Sequence, residues 1–229
     1  MRTKRLKGPT AVSDSALLRF TALSHDGTAW NDLTPHANMG TDNTGGGWPL
    51  FDGVGDHVIV PSPYVVTGGG PGSMPLAADL TAVTVEVWIN PAAIGAHRRA
   101  LSINSDTDLN YLSLGLRDVG YMFLQVRNTT RCTGLTTLVA GAWTHVVATV
   151  ASGTAPLVYI NGLDDTDTST SSSYAAENIQ VSVGGTLYGA LPSVSQAFHG
   201  DIDTARIYSR ILSPDEVLMN YNAGRAAHP

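Results

Sequence analysis

The sequence predicts an all-β protein, a two-sheet antiparallel β-sandwich followed by a short C-terminal helix. About a dozen short segments have the apolar alternation and the Val, Thr and aromatic content of strands, and turn signals separate them. The 229 residues include 24 Gly and 12 Pro but only three Glu, at positions 86, 177 and 216, which favours turns over long helices. No linker-like break divides the chain, so one large β-domain is expected.

The strand signal recurs along the whole chain and ends each time at Gly, Pro, Asn or Asp. The predicted strands include residues 16–23, 57–60, 83–89, 100–103, 112–116, 121–126, 144–150, 157–160, 179–183 and 198–208. Turns at 117–120 and 152–153 predict two hairpins, and Asn161-Gly162 is the strongest turn signal in the chain. Residues 30–48 and 164–173 are polar and are predicted to be loops.

Alternation assigns the faces of the clearest strand. In residues 83–89 (VTVEVWI) the four aliphatic side chains face one way, and Thr84, Glu86 and Trp88 face the other.

The segment 198–217 predicts a strand, a short connection and a capped helix. Ser213 and Glu216 have the spacing of a capping box, with Pro214 at the first helical position. By alternation Asp203 lies on one strand face with Ala205 and Ile207, and the opposite face carries Ile202, Thr204, Arg206 and Tyr208. A carboxylate buried on an apolar face needs a hydrogen bond, an ion pair or a metal.

Charge and cysteine content limit the function classes. The net charge is −6, which argues against a broad nucleic-acid surface. Arg2, Lys4, Arg5 and Lys7 form a basic arm within residues 1–12, which either binds an acidic partner surface or is a solvated tail.

Cys132 is the single cysteine, so no intrachain disulfide is expected. The sequence shows no signal-peptide pattern and no apolar stretch long enough to span a membrane, so folding in the cytoplasm is expected.

Five segments, in order, resemble the laminin-G-like, concanavalin A-like jelly-roll domains. They are residues 32–40 (DLTPHANMG), 51–58 (FDGVGDHV), 84–89 (TVEVWI), 143–148 with 159–162 (WTHVVA and YING), and 200–216 (GDIDTARIYSRILSPDE). The resemblance implies a jelly-roll sandwich over residues 13–229. It leaves function open, because this fold is used by lectins, carbohydrate-binding modules, adhesion domains and hydrolases.

A hydrolase is the least favoured of these classes. Relatives that cleave glycans place paired carboxylates as E-x-D-x-x-E on one strand, and this chain has no such segment. Asp201 and Asp203 share a strand face at i, i+2, but the resemblance implies a structural role for Asp203. The chain is therefore predicted to be non-catalytic.

The resemblance also implies a structural Ca²⁺ site near the edge of the sandwich. Its oxygen ligands would be Asp203, Asp32 and Asn38. The alternative is that Asp203 accepts hydrogen bonds from neighbouring backbone N–H groups and that no metal is involved.

A carbohydrate site would need exposed aromatic side chains on loops, and the candidates are Trp48, Tyr64, Tyr174 and Tyr188. Trp88 and Trp143 match family positions that belong to the core.

A module of this kind with a basic arm is similar to surface proteins of bacteriophage particles, such as capsid decoration proteins, head fibres or tail adhesins. The expected partners are other virion proteins, a second copy of the chain or cell-surface glycans, without nucleic acid and without membrane insertion. The alternatives are a lectin or carbohydrate-binding module of a secreted, extracellular protein and a glycan-active hydrolase.

Overall fold

A computed structural model describes residues 16–20, 29–31, 39–42, 50–60, 81–104, 112–127, 129–171, 180–188 and 193–229. The elements are β1 (Ala16–Phe20), β2 (Ala29–Asn31), β3 (Met39–Asp42), β4 (Leu50–Asp52), β5 (Val58–Val60), β6 (Ala82–Pro91), β7 (Arg98–Asn104), β8 (Leu112–Leu116), β9 (Tyr121–Val126), β10 (Thr129–Thr137), β11 (Thr144–Ala151), β12 (Leu157–Ile160), β13 (Leu163–Asp164), β14 (Thr166–Ser169), β15 (Gln180–Val183), β16 (Thr186–Tyr188), β17 (Ser193–Ser195), β18 (His199–Tyr208) and α1 (Pro214–Gly224). No helix of the described residues has the length and apolarity needed to cross a bilayer.

The strands form two antiparallel sheets, as predicted. The seven-stranded sheet has the order β1-β18-β6-β11-β12-β13, and β4 also pairs with β18. The nine-stranded sheet has the order β14-β10-β9-β8-β7-β15-β5-β3-β2, and β16 and β17 form a separate hairpin. The all-β sandwich with one short C-terminal helix is therefore confirmed.

The main core lies between the two sheets. It contains the aliphatic face of β6, with Val83, Val85, Val87 and Ile89, which confirms the alternation expected there. The nine-stranded sheet contributes the apolar faces of its central strands, including Leu112, Leu114, Leu116, Met122, Leu124, Val126, Val181 and Val183. Burial of these faces against each other holds the sheets together.

A second, smaller core lies between the seven-stranded sheet and α1. It contains Val147, Tyr159, Tyr208, Leu212 and Val217. The helix begins at the predicted capping box.

Both halves of that capping box are formed. The Glu216 N–H donates to the Ser213 hydroxyl (3.3 Å), and the Glu216 carboxylate accepts from the Ser213 N–H (2.8 Å). Arg210 holds the same carboxylate with two hydrogen bonds, of 2.6 and 2.7 Å. The position of α1 is thus fixed by its cap as well as by its apolar side chains.

The predicted faces of β18 are wrong at one point, because the strand contains a β-bulge. Opposite β6, Ile202 pairs with Ile89 and Thr204 pairs with Trp88, so Asp203 is an extra residue. Ile202 therefore lies in the main core with Ala205 and Ile207, and Asp203 does not.

Two predicted loops contain short strands. The segment 30–48 includes β3 and part of β2, and the segment 164–173 includes β14. The long strand β10 was also missed, because its Thr, Arg and Gly residues show little apolar alternation. Backbone pairing with neighbouring strands holds these elements in the sheet.

Candidate functional site

The outer face of the nine-stranded sheet carries a group of polar and aromatic side chains in register. Across β7, β8 and β9, Arg99 pairs with Gly115 and Gly115 pairs with Phe123. The adjacent row pairs Ser102 with Ser113 and Ser113 with Gln125. The arginine–aromatic cluster, as we name it, consists of Arg99, Arg117, Tyr121, Phe123, Gln125 and Gln196.

Phe123 and Arg99 meet because Gly115 between them has no side chain. A Cβ atom at Gly115 would lie 2.9 Å from the Phe123 ring and 2.5 Å from the Arg98 carbonyl oxygen. The ring therefore covers Gly115, and the Arg99 guanidinium lies 4.5 Å from the ring centroid, a cation–π contact. Phe123 and Arg99 are only 1% and 3% exposed, so they form the floor of the cluster.

Two amide side chains fix the orientation of Arg99. Its Nε donates to Gln196 Oε1 and its Nη2 donates to Gln125 Oε1, each at 2.6 Å. Gln196 follows β17 and has φ +55°, a left-handed conformation that is unusual for a residue other than glycine. The hairpin of β16 and β17 is held next to the cluster by a hydrogen bond, because Ser102 Oγ on β7 lies 3.0 Å from Thr186 Oγ1 on β16.

Arg117 forms the half-exposed part of the cluster. Its guanidinium carbon lies 5.9 Å from the Tyr121 ring centroid and 5.6 Å from that of Phe123. Within the described part of the chain, Nε of Arg117 is buried and has no hydrogen-bond partner. Next to it, His97 Nε2 and Asp118 Oδ1 are 3.3 Å apart.

This arrangement is suited to binding rather than to acid–base catalysis. A half-exposed tyrosine, a guanidinium and amide groups are the kinds of group that fix a ligand in a protein site. Among the described strands of this face, β5, β7, β8, β9, β10 and β15 contain neither Asp nor Glu. These strands do not carry the pair of carboxyl groups that most glycoside hydrolases use.

A buried ionic network lies beneath α1 on the other sheet. Glu86 accepts hydrogen bonds from Arg206, from Tyr208 (3.1 Å) and from Asn220 of α1 (2.7 Å), and its Oε1 lies 3.1 Å from His145 Nε2. Burial alone would raise the pKa of Glu86, but Arg206 and His145 outweigh it and hold the pKa at about 2. Burial, followed by the negative charge of Glu86, raises the pKa of Tyr208.

The network is structural. Glu86 and His145 are fully buried, and Arg206 is 7% exposed, so a substrate cannot reach them. His145 packs as a strand residue and not as an exposed base. The network joins β6, β11 and β18 to the helix.

Asp203 is paired with a histidine near the C-terminal end of the chain. His228 Nε2 lies 2.5 Å from Asp203 Oδ2, and His228 Nδ1 lies 2.9 Å from the Gly224 carbonyl oxygen. Because a carbonyl only accepts, Nδ1 donates there, and a proton lies between Nε2 and the carboxylate. The ring stacks on Trp88 at 4.1 Å and meets Trp143 edge-on at 4.7 Å.

This contact bears on two sequence hypotheses. The carboxylate of Asp203 has a partner without a metal, and no metal-binding group of three His, Cys, Asp or Glu occurs in the described ranges. The calcium hypothesis therefore depends on Asp32 and Asn38, which lie outside the described residues. The second hypothesis is catalysis by Asp201 and Asp203. Asp201 accepts a hydrogen bond from Asn90 (3.3 Å), and burial raises the pKa of the Asp201 carboxyl group.

Most of the predicted ligand-binding residues also lie outside the described residues. This holds for Trp48, Tyr64 and Tyr174 and for the arm residues Arg2, Lys4, Arg5 and Lys7. Tyr188 is the last residue of β16, of which the backbone is described.

An open cleft of about 190 Å³ lies between β10 and β11. Its lining includes Trp143, Thr136, Thr144 and Asn161. Asn161 Oδ1 already accepts from the His145 N–H (3.0 Å), which leaves the cleft fewer free polar groups.

The sequence analysis missed the arginine–aromatic cluster, although a signal for it was present. In residues 121–126, Met122, Leu124 and Val126 face the core, so alternation assigns Tyr121 and Phe123 to the outer face. Two aromatic residues on the outer face of a strand mark a covered or ligand-binding surface.

Comparisons with known proteins agree with the architecture. A laminin G family model, described as the concanavalin A-like lectin/glucanases superfamily, matches residues 52–218. No curated protein matches this sequence.

Several solved structures share the fold at low sequence identity. A Trypanosoma rangeli sialidase in complex with sialic acid has a TM-score of 0.68 at 14% identity, over 94% of this chain and 34% of the sialidase. The receptor-binding domain of botulinum neurotoxin C/D mosaic serotype has a TM-score of 0.66 at 13% identity, over 92% of this chain and 51% of that domain. A heptameric SAP-like pentraxin from Limulus polyphemus has a TM-score of 0.51 at 17% identity, over 60% of this chain and 68% of the pentraxin. The chain thus spans about a third of the length of the sialidase.

Proposed function

Because the chain belongs to the concanavalin A-like lectin/glucanases superfamily, we propose that it is a carbohydrate-binding module that does not cleave its ligand. The observation that carries the proposal is the arginine–aromatic cluster on the outer face of the nine-stranded sheet. Its half-exposed members Tyr121, Arg117 and Gln125 surround a rigid floor made by Phe123 and Arg99. Such a preorganised surface binds a ligand with little loss of side-chain entropy.

The distribution of acidic residues supports a non-catalytic role. The six described strands that form the central part of this face lack Asp and Glu. Of the three glutamates, Glu86 is buried in the network under α1 and Glu216 caps that helix. Both carboxylates therefore have structural partners at the opposite sheet.

The test is glycan-array binding by the full chain, followed by calorimetry on the glycans that bind. Tyr121→Ala should weaken binding by about tenfold, which corresponds to about 1.4 kcal/mol and to the loss of one aromatic contact. Leu163→Ala is the control, since Leu163 is 67% exposed on β13 of the other sheet. Incubation of the bound glycan with the protein should leave its length unchanged.

Two results would contradict the proposal. If no glycan binds, the module is not a lectin. If Tyr121→Ala has no effect while Trp143→Ala abolishes binding, the ligand lies in the cleft between β10 and β11 instead of on the arginine–aromatic cluster.

A finer proposal concerns where the module acts. The basic arm carries the positive charges of Arg2, Lys4, Arg5 and Lys7, whereas the chain as a whole has a net charge of −6. This asymmetry supports docking of the arm on an acidic surface of other virion proteins, with the sandwich on the outside of a bacteriophage particle. Deletion of residues 1–12 should abolish co-sedimentation with particles but leave glycan binding intact. A truncated chain that still joins particles would contradict docking through the arm.

A further inference from the structure

Positive charge is concentrated on one part of an acidic protein. The described residues of β7 to β10 and of the turns between them contain five arginines but only one acidic residue, Asp118. The arginines are Arg98, Arg99, Arg117, Arg127 and Arg131. Over residues 98–137 the sequence has five arginines and three aspartates (Asp106, Asp108 and Asp118), which gives 5 − 3 = +2, whereas the whole chain carries a net charge of −6. A cluster of one sign attracts ligands of the opposite sign.

Arg98 and Arg99 have structural roles. Arg98 donates to the carbonyl oxygens of Gly53 and Ala197, both at 2.8 Å. Arg99 is held by the amide oxygens of Gln125 and Gln196. Their positive charges stay near the face, while their hydrogen bonds hold the loops and the hairpin around it.

Arg117 differs from both of them. Within the described part of the chain, its Nε is buried and has no hydrogen-bond partner. The rings of Tyr121 and Phe123 hold it by cation–π contacts and shield one side from water. The nearby carboxylate of Asp118 is paired with His97, which reduces its repulsion of an anion.

From this geometry we propose that the carbohydrate is anionic and that Arg117 binds its acidic group. The inference rests on the proposed function and names the chemical class of the ligand. A guanidinium presents a planar fork of N–H donors that matches a carboxylate or a sulfate, and it retains its charge at all relevant pH values. Tyr121 stacks against the sugar ring that bears the acidic group. The contacts proposed here come from Arg117 and Tyr121, so we expect binding to persist when Ca²⁺ is removed.

The experiment compares three polysaccharides with the full chain: polygalacturonate, which carries carboxylates, dextran sulfate, which carries sulfates, and neutral dextran. Binding is measured by calorimetry in EDTA at low and moderate NaCl concentration. At least one anionic polymer should bind more than tenfold more tightly than dextran, and added salt should weaken that binding. The preferred polymer identifies the acidic group.

Three variants test the role of Arg117. Arg117→Gln should weaken binding of the anionic polymer at least tenfold, and Arg117→Lys should recover only part of it, because an ammonium lacks the fork. Arg225→Gln makes the same change of charge at an exposed position after α1 and should bind as the wild type does. Matching thermal midpoints confirm that all three variants are folded.

The outcomes separate this inference from the proposed function. Equal binding of dextran and anionic polymers, unaffected by Arg117→Gln, overturns the inference and leaves the module a lectin. Equal losses in Arg117→Gln and Arg225→Gln overturn it by showing an effect of net charge. Binding of polyanions through the basic arm would survive Arg117→Gln and would also overturn it. If none of the polymers and no array glycan binds, the proposed function itself fails.

Discussion

At the scale of single residues, Glu86 links the seven-stranded sheet to α1. It is fully buried and receives hydrogen bonds from two strands and a helix. Its charge is balanced by Arg206, which is also buried. Removing one member of a buried ion pair leaves the other charge without compensation in a medium of low polarity.

Glu86→Gln is therefore expected to lower the free energy of unfolding by about 3–5 kcal/mol, measured by urea titration. Asp167→Asn is the matched control: it makes the same kind of change at an exposed position on β14, and its effect should be within about 0.5 kcal/mol. A loss below about 1 kcal/mol in Glu86→Gln would mean that Arg206 finds another partner or reaches water.

Cys132 provides a second residue-level prediction. Its side chain is fully buried in the main core, and burial raises the pKa of its thiol to about 11. Because the thiolate is the reactive form, the native protein should react with a thiol reagent only after unfolding. The measurement compares the labelling rate in buffer with that in denaturing urea. Complete labelling of folded protein within minutes would show that β10 opens readily.

At the scale of elements, β8 is the strand on which the arginine–aromatic cluster depends. Gly115 lies beneath Phe123, and a Cβ at this position would meet both the ring and the Arg98 carbonyl oxygen at less than 3.0 Å. Gly115→Ala should destabilise the protein by about 1–3 kcal/mol, through strain of an overpacked site. It should also weaken glycan binding, since Phe123 and Arg99 are displaced.

Gly55→Ala is the control for this change, because a Cβ at Gly55 meets no atom within 4 Å and its φ is not in the left-handed region. Its midpoint in urea should lie close to that of the wild type. If Gly115→Ala behaves in the same way, the packing of Phe123 over Gly115 is not what organises the cluster.

The elements also show where reasoning from the sequence succeeds. The strand 83–89, both hairpins and the capped helix were predicted, because each has a local signal: alternation, turn residues or an S-x-x-E box. The bulge at Asp203 was not, since an extra residue in a ladder depends on the partner strand. One inserted residue reversed the expected face of Ile202 and of Asp203.

The candidate site was harder to predict than the fold. The sequence prediction named the aromatic residues Trp48, Tyr64, Tyr174 and Tyr188, whereas four of the six residues of the described cluster lie on β7 and β9, and Arg117 and Gln196 directly follow β8 and β17. Its members come from positions 99 to 196; Arg99, Phe123 and Gln125 meet because β7, β8 and β9 are adjacent in register, and Gln196 joins them through its hydrogen bond with Arg99. That adjacency is a property of the tertiary structure.

At the scale of the whole molecule, two carboxyl groups couple the stability of the fold to pH. The pKa of Glu86 is about 2, as described above, and hydrogen bonds from Arg210 and the Ser213 N–H also lower that of Glu216 to about 2; the ordinary value is 4.5. Because both pKa values are lower in the folded state than in the unfolded chain, their contribution is complete above pH 4.5 and is lost as the pH falls towards 2.

The midpoint of urea unfolding should therefore decrease between pH 5 and pH 2.5. Glu86→Gln should decrease less steeply, so its difference from the wild type should shrink as the pH falls. Parallel curves for the two proteins would contradict the assignment of this pH dependence to Glu86.

The stacking of His228 on Trp88 gives the molecule an intrinsic optical reporter. An imidazole ring in contact with an indole quenches its fluorescence, and the ring centroid of His228 lies 4.1 Å from that of Trp88 and 4.7 Å from that of Trp143. Any event that lifts the segment after α1 from the sheet should therefore brighten the emission before the sandwich unfolds. Attachment of the protein to a surface or to a partner through this end could be followed in real time without a dye, with His228→Ala as the permanently bright reference.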